Sequence, residues 1–230
     1  MFNVSHVRDE QAKYDYVYTN DPAYGGSKVR LKLITDKTLP FGKAWQSQVM
    51  PNCQSSLDIG TGVGRVQLYM RERHIDAKGI DISQVAIDKI NPVLKNHVQL
   101  AEAGELPFPA QSFDIVYHFD GLEHIHPDRI DVCIKEHARV SRRYLAYTVP
   151  DDLSNHDQDG KAASKSPDGP TGGHGYLHLT VMSLEEWSRW FTAQADALGL
   201  KFVVHDARRK FHKVRRKQVG QLAVLLERQR

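Results

Sequence analysis

The run Leu57-Asp58-Ile59-Gly60-Thr61-Gly62-Val63-Gly64 constrains this chain most, because a short apolar stretch passes through three alternating glycines into a segment of helical periodicity. Glycines at such a bend permit backbone angles closed to other residues and let a ligand approach the main chain. Strand, glycine turn and helix in succession form the opening unit of a doubly wound α/β sheet, where ligands settle at the carboxyl ends of the strands. Asp58 falls at the end of that strand, positioned to accept from an ammonium group directly or through water. A nucleotide-binding turn of the dinucleotide type needs its third glycine at position 65, which here is Arg65, so the spacing argues against that class. A second acid, Asp81, ends the next apolar run about 20 residues on, where a carboxylate in such folds holds ribose hydroxyls. It precedes Ser83, so helix capping is the competing role.

The rest of the chain carries the same rhythm. Strands are expected at Ser55 to Ile59, Ala77 to Ile80, His97 to Leu100, Phe113 to Phe119 and Arg143 to Val149. Helices are expected from Val63 to Arg73, from Ser83 until Pro92 interrupts, from Pro127 to Val140, and from Ser183 with Leu184, Trp187, Trp190 and Phe191 on one face. Leu200 to His205 and Val219 to Glu227 read as a closing antiparallel pair. The predicted fold is therefore an α/β, Rossmann-like, doubly wound, mainly parallel sheet with an antiparallel C-terminal strand pair. Two stretches stand outside it. Residues 1–49, with Tyr14, Tyr16, Tyr18 and Tyr24 before Gly25-Gly26 and a helical run from Ser27, form an appendage that caps the ligand site of a domain spanning 50–230. Residues 151–175 are crowded with Asp, Ser, Lys, Pro and Gly and are expected to form a mobile loop.

Charge and cysteine content narrow the setting. From Lys201 to the C-terminus ten Lys and Arg accompany only Asp206 and Glu227, a net +8 that leaves −5 for the rest of a chain of overall charge +3. Seven of those cations lie within residues 208–217, a segment suited to phosphate groups. Cys53 and Cys133 have neither the number nor the spacing of a disulfide framework or a zinc site. With no apolar run long enough for a membrane span and no secretory core at the start, a cytoplasmic location is expected.

The stretch from Leu57 to Val149 resembles the core of class I methyltransferases that use S-adenosylmethionine (SAM). The resemblance extends through Ala101-Glu102-Ala103-Gly104-Glu105-Leu106-Pro107-Phe108-Pro109 and Ser112-Phe113-Asp114. It implies that SAM is the cofactor and S-adenosylhomocysteine the product. It further implies that Asp58, Gly60, Gly62, Gly64, Asp81, Glu102, Ala103, Leu106 and Phe119 bind the cofactor. In this role Glu102, where the family more often carries Asp, receives the adenine amino group, and the backbone of Ala103 and Leu106 lies beside the ring.

Methyl transfer from a sulfonium is an in-line displacement on an activated donor, so the protein has to align the acceptor and, for a hydroxyl, remove its proton. The fourth strand runs into Asp120-Gly121-Leu122-Glu123-His124, which nominates Asp120 and His124. Leu122-Glu123-His124 resembles a run that many family members share, sometimes for structure and sometimes for acid-base or metal chemistry. His178, after Gly172-Gly173-His174-Gly175 and before Met182-Ser183-Leu184-Glu185-Glu186-Trp187, is the third catalytic candidate, with a resemblance to methyltransferases of sugar and glycan pathways. A divalent Mg2+ or Mn2+ ion held by Asp120, His124, Asp151 and His178 is an alternative without a fixed ligand spacing behind it, and no metal is assigned. O-methylation of a sugar, glycan or small hydroxylated acceptor is the expected reaction. Methylation of RNA held by segment 208–217 is the first alternative, although Asp120-Gly121-Leu122-Glu123 departs from the motif common in base-amine methylation. A SAM-binding protein without catalysis is the second.

Overall fold

The computed structural model describes residues 4–20, 41–151, 178–212 and 217–229. Seven strands form one sheet in the order β3-β2-β1-β4-β5-β7-β6. They are β1 (Ser55–Ile59), β2 (Asp76–Asp81), β3 (Val98–Leu100), β4 (Phe113–Phe119), β5 (Ser141–Pro150), β6 (Leu200–His212) and β7 (Lys217–Arg228). The first five run parallel, and β7 lies antiparallel to both β5 and β6, as the sequence rhythm predicts. The final hairpin is longer than expected, because β6 continues past His205 to His212.

The sheet separates two apolar layers by strand alternation. Leu57 and Ile59 of β1, Val116 of β4, Leu145 and Tyr147 of β5 and Val224 of β7 face one side. Against them pack helix α4 (Pro127–Val140) through Ile130 and Ile134, and α5 (Leu184–Leu198) through Trp187 and Phe191. Each such apolar side chain contributes about 1.5–3 kcal/mol when fully withdrawn from water. On the other side Ile115, Tyr117, Tyr144 and Leu225 meet Trp45, Val49 and Met70. Phe41, Trp45 and Val49 are thus core residues, so the domain boundary expected at residue 49 does not coincide with a break in packing.

Local chemistry sets the helix ends. Ser183 and Glu186 form a reciprocal capping box before α5, and Gly199 closes that helix in the left-handed conformation at φ 63°. Pro127 occupies the first turn of α4, where its missing N–H costs nothing. Ser83 caps α3 (Gln84–Asp88), which stops before Pro92, while Pro92–His97 winds as a 3-10 turn and confines β3 to three residues. Helix α2 (Arg65–Arg71) starts two residues later than the periodicity suggests, since Gly64 still has φ 77°. No helix among the described residues is long and apolar enough to cross a membrane.

The N-terminal stretch contributes α1 (Val4–Asn20). It docks on the start of α3, where Asp15 Oδ1 accepts from Ser83 Oγ at 2.5 Å and from Val85 N–H at 3.3 Å. Tyr24, Gly25-Gly26 and the helical run expected from Ser27 lie outside the described residues, as do residues 152–175 of the expected loop. Asp151, counted with that loop, is instead part of the packed body: it is buried and its N–H donates to Gly220 O at 2.9 Å.

Candidate active site

Between β1 and β4 the strand order reverses direction, which opens a crevice beyond the carboxyl ends of the strands. A cavity occupies that crevice. Gly60 after β1, Asp81 at the end of β2, Glu102 and Ala103 after β3, and the stretch 118–121 at the end of β4 form its floor and walls. Glu10, Tyr14 and Tyr18 of α1 complete it from above, with His124 at the rim.

The glycine turn spends its own donors. Thr61 N–H bonds Ile80 O at 2.9 Å, Gly64 N–H bonds Thr61 O at 2.8 Å, and Gly62 N–H bonds Asp81 Oδ2 at 2.8 Å. Asp81 Oδ1 accepts from Ser83 N–H at 2.9 Å, so this carboxylate anchors the turn and the start of α3 together while still facing the cavity. Burial raises its pKa against the lowering effect of those N–H donors. The capping and binding roles weighed for this stretch therefore divide: Ser83 caps, and Asp81 is left at the cavity wall.

Of the other residues expected at the cofactor, Gly60, Glu102, Ala103 and Phe119 line the cavity, while Gly62, Gly64, Leu106 and Asp58 are not among its lining residues. Gly64 acts through packing, since a Cβ there would overlap Leu94. Leu106 belongs to the core and its N–H bonds Glu136 Oε1 at 2.9 Å. The Asp58 carboxylate is buried and accepts from Thr61 Oγ1 at 3.1 Å. Burial pushes its pKa up to about 8, with Asp81 adding to the rise. Glu102 is paired with the Arg129 guanidinium and accepts from Gly104 N–H at 2.7 Å.

At the rim, Asp120 follows β4 in the left-handed region at φ 50°, an unusual conformation for a side-chain-bearing residue. Its N–H donates to Thr148 O at 2.9 Å, and its Oδ1 accepts from Thr148 Oγ1 and Gln221 Nε2, each at 3.0 Å. His124 and His178 stand edge to face with ring centroids 4.8 Å apart, and Tyr14 approaches His124 at 5.6 Å. His178 is held there because Leu179 and Thr180 donate their N–H groups to Glu123 O at 2.8 and 3.0 Å. The structure therefore joins two of the three catalytic candidates directly and sets Asp120 on the same cavity. Of the four residues considered for an ion, Asp120 is tied to Thr148 and Gln221 and Asp151 to Gly220, and the residue grouped with the two histidines is Glu123.

Sequence reasoning missed two titratable lining residues. His118 is buried within β4, its pKa held well below the usual histidine range by burial, so it presents a neutral imidazole to the cavity. A Cβ on Gly121 would overlap that ring, which accounts for the glycine after Asp120. Glu10 faces the adenine end expected for Glu102, since Arg129 Nη1 lies 3.8 Å from Glu10 Oε2. The penultimate position of β4 is a usable signal for His118, whereas nothing local to Glu10 marks it. The side chains of 208–212 and 217 and all of 213–216 lie outside the described residues.

A parallel sheet reversed at β1/β4, with an acid-rich cavity over a glycine turn, has the Rossmann-like architecture of solved methyltransferase structures. Residues 57–144 match the family model described as a methyltransferase domain. The chain is 37% identical over 94 residues to 27-O-demethylrifamycin SV methyltransferase of Amycolatopsis mediterranei, a match covering 37% of this chain and 34% of that protein. It thus spans about a third of the length of that curated relative. Among solved structures, magnesium protoporphyrin IX methyltransferase of Synechocystis PCC 6803 with bound SAM superposes with a TM-score of 0.61 at 13% identity, covering 96% of this chain and 98% of that one. The [4+2]-cyclase SpnF reaches 0.62 at 15% identity, covering 96% of each chain. A cyclase with this likeness means that the fold alone leaves the reaction open.

Proposed function

We propose that the protein transfers the methyl group of SAM to a hydroxyl of a sugar, glycan or other small hydroxylated acceptor. The observation that carries the donor half is the electrostatics of the cavity: Glu10, Asp81, Glu102 and Asp120 line it and, among the described residues, no Lys or Arg does. Such a lining favours a cationic sulfonium and ammonium and repels a pyrophosphate. The glycine turn agrees, because its N–H groups at 61, 62 and 64 are already bonded within the protein and form no phosphate cradle. In this reading Asp81 holds the ribose, Glu102 the adenine amino group, Ala103 and Phe119 flank the bound donor, and Asp58, Gly60, Gly62 and Gly64 shape the turn beside the methionine portion. The α1 helix, with Tyr14 and Tyr18, covers the donor as the N-terminal cap.

The acceptor half rests on His124 and His178 at the rim. The hydroxyl oxygen attacks the methyl carbon, the carbon–sulfur bond breaks with its electron pair going to sulfur, and the hydroxyl proton passes to one of these imidazoles or to Asp120. The products are a methyl ether and S-adenosylhomocysteine. The curated relative, whose name places its substrate among demethylated rifamycins, supports a small acceptor carrying free oxygen. Buried, free Cys53 and Cys133 suit a reducing cytoplasmic setting.

A transfer screen with methyl-labelled SAM against sugar, small-molecule and RNA pools tests the assignment. Label entering the first two pools is expected, and label entering RNA alone rejects the acceptor class. On the acceptor so found, His178→Ala is expected to slow turnover about 100-fold or more, the usual worth of a placed general base. Because His178 does not line the donor cavity, SAM affinity measured by calorimetry should stay within about twofold of the wild type. Unchanged turnover removes His178 from the chemistry.

A further inference from the structure

The rim of the cavity brings together three side chains whose donor atoms suit a transition-metal ion. Glu123 and His124 come from the 3-10 turn Leu122–His124 that follows β4, and His178 comes from the segment leading to α5. One ligand atom from each lies within 4.8 Å of the other two, and His124 Nε2 is 3.8 Å from Glu123 Oε1. A tetrahedral ion with bonds of about 2.0 Å holds its ligands about 3.3 Å apart, so small side-chain rotations close the set. The scaffold is already built: the Glu123 carbonyl receives the N–H groups of Leu179 and Thr180, and Thr180 Oγ1 donates to Ile125 O at 2.6 Å. Glu123 therefore fixes the segment that bears the third ligand while offering the first ligand from its own side chain. That side chain is only 2% exposed.

We propose that Glu123, His124 and His178 form a binding site for a divalent first-row transition ion, zinc being the natural occupant of two imidazoles and one carboxylate. Two nitrogen donors disfavour Mg2+ and Ca2+, which take oxygen, and three protein ligands leave at least one position open toward the cavity rim where His124 stands. This deepens the reading of the cavity as the donor site and rests on it for its role. Donor activation needs no metal, since the sulfonium is already a good leaving group. The ion acts on the acceptor: it takes the hydroxyl oxygen into its open position, lowers the hydroxyl pKa, and releases the proton to water before the oxygen attacks the methyl carbon. The two histidines then serve by holding the ion, and they are proton acceptors when it is absent.

The experiment uses the full chain, freed of any affinity tag and stripped with a chelator. Titration with zinc by calorimetry is expected to show one tight equivalent, and Co2+ in its place to give the visible absorption bands of a low-coordinate site. His178→Ala is expected to weaken that equivalent about 100-fold and abolish the cobalt bands, while the control His126→Ala, at the neighbouring cap of α4, keeps both. Glu123→Gln, which retains the backbone carbonyl that anchors the 178–180 segment, is expected to lose them as well. Absence of a tight equivalent, or wild-type zinc affinity in His178→Ala, overturns the site. SAM binding is measured on the metal-free protein, so a failure there rejects the donor cavity and leaves the metal result to stand or fall by itself.

Discussion

Asp81→Ala is expected to lower SAM affinity by at least about 100-fold, the largest effect on binding of any single side-chain truncation at this site. An acid that receives two ribose hydroxyls makes two charge-assisted hydrogen bonds, each worth about 1.5–3 kcal/mol. Together they amount to about 3–6 kcal/mol, and each 1.4 kcal/mol is a factor of ten. The structure adds a second loss, because Asp81 also accepts from Gly62 and Ser83 N–H groups, and the truncated side chain leaves both donors to find new partners. Asp81→Asn keeps one acceptor oxygen and separates the two contributions: it should restore most of the thermal stability that alanine removes and little of the affinity. Asp76→Ala, at the exposed start of the same strand, is the control and should bind like the wild type. Calorimetry checks all three, and an Asp81→Ala affinity within threefold of the wild type removes the ribose role.

That prediction was legible in the chain before any coordinates, and the reason is local. The alternation of Phe113–Phe119 and the proline-started period of Pro127–Val140 each depend on neighbours in sequence, and both elements occur with those bounds. Asp81 follows from the same logic, since the end of β2 must face the switch point. Strand alternation also held information about Asp58 that its motif obscured. With Leu57 and Ile59 turned to one layer, the side chain between them points to the opposite face, which is why Asp58 meets Thr61 and lies close to Tyr117 instead of lining the cavity. What the chain could not disclose are pairings across long separations. Glu10 reaches the site only because α1 docks on α3, and His178 meets Glu123 and His124 only because a carbonyl of the β4 exit turn captures two N–H groups 56 and 57 residues further on. The core role of Phe41, Trp45 and Val49 is of the same kind, as their partners Ile115 and Tyr117 belong to β4.

The Asp58 carboxyl gives the second large effect, and its sign follows from burial. Its pKa is pushed up to about 8 in the folded protein, against about 3.9 in an unfolded chain. Between those values the folded state binds a proton that the unfolded state has released, so this group's contribution to stability is fully present below about pH 3.9 and declines as pH rises toward 8. The ceiling on that decline is roughly 6 kcal/mol, about 1.4 kcal/mol for each unit of separation. Asp58→Asn carries no such proton and keeps an oxygen for Thr61, so its urea-unfolding free energy should fall less steeply between pH 5 and 8 and exceed that of the wild type by several kcal/mol at pH 8. Parallel curves for the two proteins refute the buried, protonated acid. SAM provides the opposing linkage. If Asp58 meets the donor's ammonium, directly or through water, binding draws off the proton, and wild-type affinity strengthens from pH 6 to 8 relative to the asparagine variant. The ammonium's own titration, at about 8, is common to both proteins and cancels in that ratio. A ratio flat in pH assigns Asp58 to the turn alone, which then acts on SAM only by holding Thr61 in place.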